Sequence, residues 1–463
     1  MKLDPVLDRI DADLPQALDR LLTLISIPSV STDPAFKEDC DSAADWLVDD
    51  LNGIGIDASK RETPGHPMVV GHTTGDADKS GPHILFYGHY DVQPVDPLEL
   101  WDSPPFEPAL EETEKGTVIR GRGASDDKGQ LMTFVEACRA WKAVHGTLPL
   151  RISILFEGEE ESGSPSLVPF MRENAGELTK DIALICDTGL FESAVPAITT
   201  QLRGLQGEEF TIHGASRDLH SGMYGGIAGN PLHVLSKIIA GLHDDTGRIT
   251  LDGFYDDVPE LSDDIRSQWQ GLNFDHAAYL GDVGLSVPAG EQDRTPLEMI
   301  WSRPTCEVNG MWGGYIGDGF KTVLPADAHC KLSFRLVGQQ DPDKIHAAFK
   351  AYVEASLPAD FSVTWHDSRG APASQMSTEN PAFEKARKAL TDEWPRPASY
   401  IGCGGSIPIA GYFKDILGMD SMLIGFGKDD DQIHSPNEKY DLESFHKGIR
   451  SWARILAELA GES

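Results

Sequence analysis

Four apolar runs in this chain each lead into a residue able to bind a cation or move a proton, and that repetition restricts the fold more than any other feature. The runs are HILFYGHYDV at 83–92, LRISILFEGEE at 150–160, DIALICDTG at 181–189 and SMLIGFG at 421–427. Short continuous apolar segments bounded by acidic or glycine-rich turns read as buried strands. A helical pattern with Leu131, Phe134, Val135 and Cys138 lies between the first two and ends near Gly146. Strands alternating with helices imply an α/β sheet, in which residues beyond the carboxyl ends of the strands converge although they are distant in sequence. His89, the pair Glu160 and Glu161, Asp187 and, after the last run, His434 are placed in this way.

The texture changes near residue 197. A strand-like EEFTIHG, a helix opened by Asn230-Pro231, an acidic irregular stretch, a strand KLSFRLV and a helix opened by Asp341-Pro342 suggest a small α+β domain. The α/β texture returns near 372 and closes with a helix carrying Leu442, Phe445, Ile449, Trp452 and Leu456 on one face. The expected organisation is therefore an α/β domain with a central mixed sheet, built from 1–196 and 372–463 and interrupted by an inserted domain at 197–371.

Composition excludes several roles. The 74 acidic against 39 basic side chains give a formal charge of -35, a field that repels phosphate backbones and anionic lipid. Neither a nucleic-acid nor a membrane partner is expected. The first residues show helical spacing at Leu7, Ile10, Leu14, Leu18 and Leu21, with no basic leader and no apolar run of membrane-spanning length. The six cysteines form no C-x-x-C pair, which fits a reducing compartment and a cytoplasmic location.

Any bound metal must then be held by His, Asp and Glu. Zinc accepts nitrogen and oxygen donors, and manganese or cobalt can substitute. In His89-Tyr90-Asp91 alternate side chains of an extended chain point the same way, so Asp91 is suited to fix the His89 ring. GRGASDDKG at 121–129 resembles a phosphate loop only superficially, because Asp127 and Gly129 stand at positions that such a loop reserves for glycine and Ser/Thr. Bridging of metals by Asp126 is the better use of this segment. In EGEEESGS, three adjacent acids after a buried strand need compensation: one carboxylate binds metal and a neighbour takes a proton from water.

Taken together, GHYDVQP, WDSPPFEP, GRGASDDKGQ, EGEEESGS, RDLHSGMYGG, FKTVLPA, FRLV, GGSIP and IHSPNE make the chain resemble the di-zinc metallopeptidases and deacylases that include carnosinase-like dipeptidases, aminoacylase and acetylornithine deacetylase. The resemblance implies a zinc-peptidase-like catalytic domain and an inserted lid/dimerisation domain, two Zn2+ per subunit and a homodimer. It implies His89 and Asp187 on one zinc, Glu161 and His434 on the other, Asp126 between them, and a cis peptide at Asp126-Asp127. Glu160 becomes the general base, His220 the group that stabilises the oxyanion, and Arg335 the anchor of a substrate carboxylate, with Gly405 and Ser406 as further substrate contacts.

Two departures bear on the substrate. Gly402-Cys403 stands before GGSIP where dipeptidases of this group commonly have Arg-Glu, and the stretch at Asn380-Pro381 lacks a histidine that carnosinase-like members carry. The expected activity is hydrolysis of a small amide, foremost a dipeptide with a free C-terminal carboxylate. Deacylation of an N-acyl amino acid is the alternative within the same chemistry, and a non-catalytic metal-binding scaffold is the alternative outside it. A serine hydrolase is disfavoured because no G-x-S-x-G occurs.

Overall fold

The computed structural model describes residues 1–75, 79–405 and 407–461. The chain divides into two compact units, one of 1–200, 376–401 and 412–463, the other of 201–375 and 402–411. Among the described residues no helix is long and apolar enough to cross a membrane.

The first unit is α/β. Its large sheet runs in the order Ile56–Arg61, Met68–Thr73, Ile152–Glu157, Ile84–His89, Ile182–Ile185, Asp420–Leu423, Ala197–Leu202, and Ser399–Cys403 pairs with the last of these. The four central strands are mutually parallel, whereas Met68–Thr73 and Ala197–Leu202 join antiparallel at the two sides. The sheet is thus mixed. Strands Ile84–His89, Ile152–Glu157 and Ile182–Ile185 are buried along their whole length, which is why they read as unbroken apolar runs.

Helix Lys128–His145 packs on Ile84–His89 and against the closing helix Leu442–Ala460. Phe86 on the strand and Phe134 on the first helix each meet the edge of Trp452 on the second, with ring centroids 5.5 Å apart. Lys128–His145 ends at Gly146, which adopts φ 72°, a left-handed conformation that glycine enters without steric cost. At its start, a Cβ on Gly129 would lie 1.9 Å from the Ala124 carbonyl oxygen. No larger residue fits there while the preceding acidic loop keeps its path.

The second unit is α+β. Its sheet order is Thr305–Gly313, Asp327–Leu336, Gly204–His213, Ser362–Ala371, all antiparallel. Alternate residues of Gly204–His213 and Asp327–Leu336 are buried, and Phe210, Ile212, Leu332 and Phe334 form a core with Leu235, Ile238, Phe349 and Val353 of helices Pro231–Ala240 and Pro342–Ala355. The capping residues are Asn230 and Asp341, each accepting a hydrogen bond from the backbone two residues on.

The acidic stretch between them is not irregular. It contains the short helices Asp263–Gly271, His276–Gly281 and Pro296–Trp301, opened by Ser262, Asp275 and a Thr295/Glu298 capping box, and then the edge strand Thr305–Gly313.

Candidate metal centre

Where the central strands of the first unit end, the ligand-type residues meet. Three side-chain donors of His89, Asp126 and Asp187 lie within 4.8 Å of one another, as do three of Asp126, Glu161 and His434. Asp126 belongs to both groups. Its Oδ1 is 3.0 Å from His89 Nε2 and its Oδ2 is 3.0 Å from His434 Nε2. His434 Nε2 is also 3.2 Å from Glu161 Oε2.

His89 and Glu161 are each held by a neighbour. His89 Nδ1 faces the Asp91 backbone oxygen at 3.1 Å and its carboxylate at 3.4 Å, so Nε2 is the nitrogen left for the centre. The two oxygens of Asp91 also accept from the backbone N–H groups of Glu160 and Glu161, at 3.2 and 3.0 Å. One buried carboxylate therefore orients an imidazole from one strand end and a turn from the next. Gln93 Nε2 donates to Glu161 Oε2 at 2.7 Å.

The loop around Asp126 is fixed by Glu438, which accepts from the backbone N–H groups of Gly123, Ser125 and Asp126 at 3.0, 3.0 and 3.1 Å and pairs with Arg122 at 2.8 Å. Both members of that pair are almost fully buried. The Asp126-Asp127 peptide is cis. His434 sits in a turn where Gln432, His434 and Asn437 all adopt φ between 56° and 64°, a region that disfavours side-chain-bearing residues. Asn437 holds this turn, accepting from the Asp102 N–H at 2.8 Å and donating to the Leu100 carbonyl at 3.0 Å.

The electrostatics are those of a site short of positive charge. Burial, reinforced by Asp126, pushes Asp187 up to about 8. Burial also raises Glu160 above the usual carboxylate range, with Glu161 and Asp91 adding to the rise and His89 opposing it. Hydrogen bonds to Asp126 and Glu161 lift His434 to about 10. Burial acts upward on Asp126, yet its bonds to His434 and His89 hold it below its ordinary value. Glu161 Oε1 is buried and has no hydrogen-bond partner. A mixed set of imidazoles and carboxylates, with one oxygen left unsatisfied and one carboxylate shared, fits divalent cations. The Glu160 carboxylate makes no hydrogen bond or ion pair among the described residues and is only partly buried.

The remaining expected site residues lie in the second unit. His220 is exposed, and its Nδ1 accepts from the Gly222 N–H at 3.1 Å. Arg335, on strand Asp327–Leu336, lines a cavity of about 390 Å³. A Cβ on Gly405 would meet Cys403 Sγ at 3.7 Å, an ordinary contact, and the Gly405 carbonyl accepts from the Arg203 N–H at 3.1 Å. Ser406 lies outside the described residues. Gln93, Arg122 and Glu438, which position the donors, were not singled out by sequence reasoning. They sit inside GHYDVQP, GRGASDDKG and IHSPNE, but no spacing rule marks a residue that acts by hydrogen-bonding a loop.

The model of Peptidase family M20/M25/M40 matches residues 85–458. The Cys-Gly metallodipeptidase dug1 of Schizosaccharomyces pombe is 30% identical, over 100% of this chain and 99% of its own. The human Beta-Ala-His dipeptidase is 26% identical, over 99% of this chain and 93% of its own. The solved structure of the di-peptidase Dug1p from Saccharomyces cerevisiae superposes with a TM-score of 0.77 at 29% identity, covering 99% of each chain.

Proposed function

Because the chain belongs to Peptidase family M20/M25/M40, we propose that it is a metal-dependent dipeptidase whose two metal positions share Asp126. The observation that carries this reading is the convergence of two donor groups on one carboxylate. His89 and Asp187 would hold one ion, and Glu161 and His434 would hold the other. Zinc suits these donors, with manganese or cobalt as substitutes. When bound, such a pair supplies Lewis-acid polarisation of an amide carbonyl and of water.

The residues of the chain do the rest. Glu160 takes a proton from the attacking water and returns it to the departing amine, and a carboxyl raised by burial holds that proton more readily between the two steps. Asp91 keeps the His89 ring in one tautomer. His220 donates to the oxyanion that forms as water adds to the carbonyl carbon, and Arg335 holds the free carboxylate of the substrate, with Gly405 and Ser406 as further substrate contacts.

A homodimer is the assembly this reading carries. Val308, Met311 and Trp312 on the edge strand Thr305–Gly313, and Ile316 and Phe320 just after it, are exposed, and an unpaired strand edge with apolar neighbours favours pairing with a second copy. The six cysteines are free and five are buried, which supports a reducing, cytoplasmic setting.

The test is metal analysis combined with a substrate panel of Cys-Gly, β-Ala-His, other dipeptides and N-acetyl amino acids. We expect bound divalent metal and turnover of dipeptides that disappears with a chelator. Turnover of the N-acyl substrates alone would make the protein a deacylase. Loss of no activity in a chelator would end the metal mechanism, and no turnover of any panel member by metal-replete protein would leave a non-catalytic metal-binding scaffold.

A further inference from the structure

Of the three guanidinium groups that line the cavity of the second unit, Arg303 is paired with a carboxylate and, among the described residues, the other two are not. Arg335 and Arg203 both line it, and among the described residues neither side chain has an ion-pair partner. The two acidic residues on the wall do not supply one. Glu291 is taken by Arg303 at 2.9 Å and by Arg248 at 3.4 Å, and Glu307 is exposed and, although its charge acts on Arg203, forms no ion pair among the described residues.

Arg203 is also held in place. Its Nε donates to the Gly404 carbonyl at 3.1 Å, and a Cβ on Gly404 would come within 3.1 Å of its Nη2. The guanidinium is thus clipped along the glycine loop, with Arg335 close enough to act on it. Burial, together with the like charge of Arg335, pulls Arg203 down to about 10. Phe274, Leu280, Met299 and Ile300 give the cavity an apolar wall, and at about 390 Å³ it has the volume of a small-molecule pocket.

Two cations partly withdrawn from water beside an apolar wall are costly unless a ligand brings compensating charge. One carboxylate balances one guanidinium. We infer that this cavity receives a ligand with two carboxylates, one on Arg335 and the other on Arg203, so that the enzyme prefers substrates whose C-terminal residue has an acidic side chain, Asp or Glu. The inference rests on the dipeptidase reading for its substrate, and on the cavity alone for its ligand chemistry. Arg203 is then a specificity-determining residue, and its Nη groups are the donors that a neutral side chain leaves unused.

The experiment compares Ala-Glu with Ala-Gln, which differ in charge but hardly in shape, for the metal-loaded protein and for Arg203→Met and Arg203→Lys. Calorimetric binding of glutamate and glutamine is measured on the same three proteins. We expect kcat/KM to favour Ala-Glu by about tenfold or more, as for a charge-assisted pair, with the difference mainly in KM. The preference should collapse toward unity in Arg203→Met and be partly kept in Arg203→Lys, which retains the charge without the planar fork.

Equal kcat/KM for the two dipeptides in the wild type would overturn the inference while leaving dipeptide hydrolysis intact. An undiminished preference in folded Arg203→Met would overturn it as well. If no dipeptide is hydrolysed, the functional reading has failed separately, and binding still decides: glutamate favoured over glutamine only when Arg203 is present supports the pocket, and equal binding rejects it. Should Arg203→Met fail to fold, the wild type and Arg203→Lys give the same two outcomes.

Discussion

Among the described residues the Glu160 carboxylate has no hydrogen bond or ion pair, unlike Glu161, Asp126 and Asp91 beside it. Glu161 is engaged by Gln93 and His434, Asp126 by two imidazoles, and Asp91 by two backbone N–H groups. A carboxylate left unpaired at the edge of such a cluster is free to carry a proton. Glu160→Gln should keep metal content and the melting temperature while kcat falls by about 10²-fold to 10⁴-fold, the usual share of general acid–base catalysis; a variant retaining most of its turnover would remove Glu160 from the mechanism. His83, away from the centre, makes a different prediction. Burial, helped by Lys180 and Arg151, lowers it from 6.5 to about 4. Between those values the unfolded chain binds a proton that the folded one refuses, so its contribution makes stability fall as pH drops through that window and then level off. His83→Gln should flatten the urea-midpoint curve there relative to the wild type, and parallel curves would contradict the assignment.

Among the elements, legibility followed burial. Ile84–His89, Ile152–Glu157 and Ile182–Ile185 are covered on both faces and announce themselves as apolar runs; since their ends carry His89, Glu160, Glu161 and Asp187, much of the donor set was visible with them. Ile56–Arg61, half-exposed at the sheet margin, and Ala109–Thr113, almost wholly exposed, have no such signal. Thr305–Gly313 was read as part of an irregular stretch because its alternation is broken by a register shift between Val308 and Gly310 and because its apolar side chains face outward. The three short helices before it are specified by their caps more than by periodicity. Glu438 shows what connects elements without leaving a pattern. It ties the loop before helix Lys128–His145 to the segment before the closing helix, and its partner Arg122 is equally buried. Glu438→Gln leaves that guanidinium without its counter-charge and should cost on the order of 3 kcal/mol, as breaking a buried pair does. A denaturant midpoint within error of the wild type would show the pair to be dispensable.

At the scale of the molecule, the exposed apolar residues of the second unit make a prediction about mass. Light scattering at micromolar concentration should give twice the 50.4 kDa of one chain, and Trp312→Glu should halve it, since a charge on the exposed edge strand opposes pairing. A wild-type monomer with full activity would refute the assembly. The order of strands has a consequence in time as well. Asp420–Leu423 lies between Ile182–Ile185 and Ala197–Leu202, so two segments made early are separated by one made last, and His434 and Glu438 follow it. A nascent chain emerging from the ribosome carries His89, Asp126, Glu161 and Asp187 for more than two hundred further residues before its sheet can close. Contacts of such long sequence separation are slow to form, and the open gap exposes unpaired backbone in the interim. A chain stopped before Asp420 should therefore be protease-sensitive and unable to retain metal through gel filtration, however complete its first two hundred residues are.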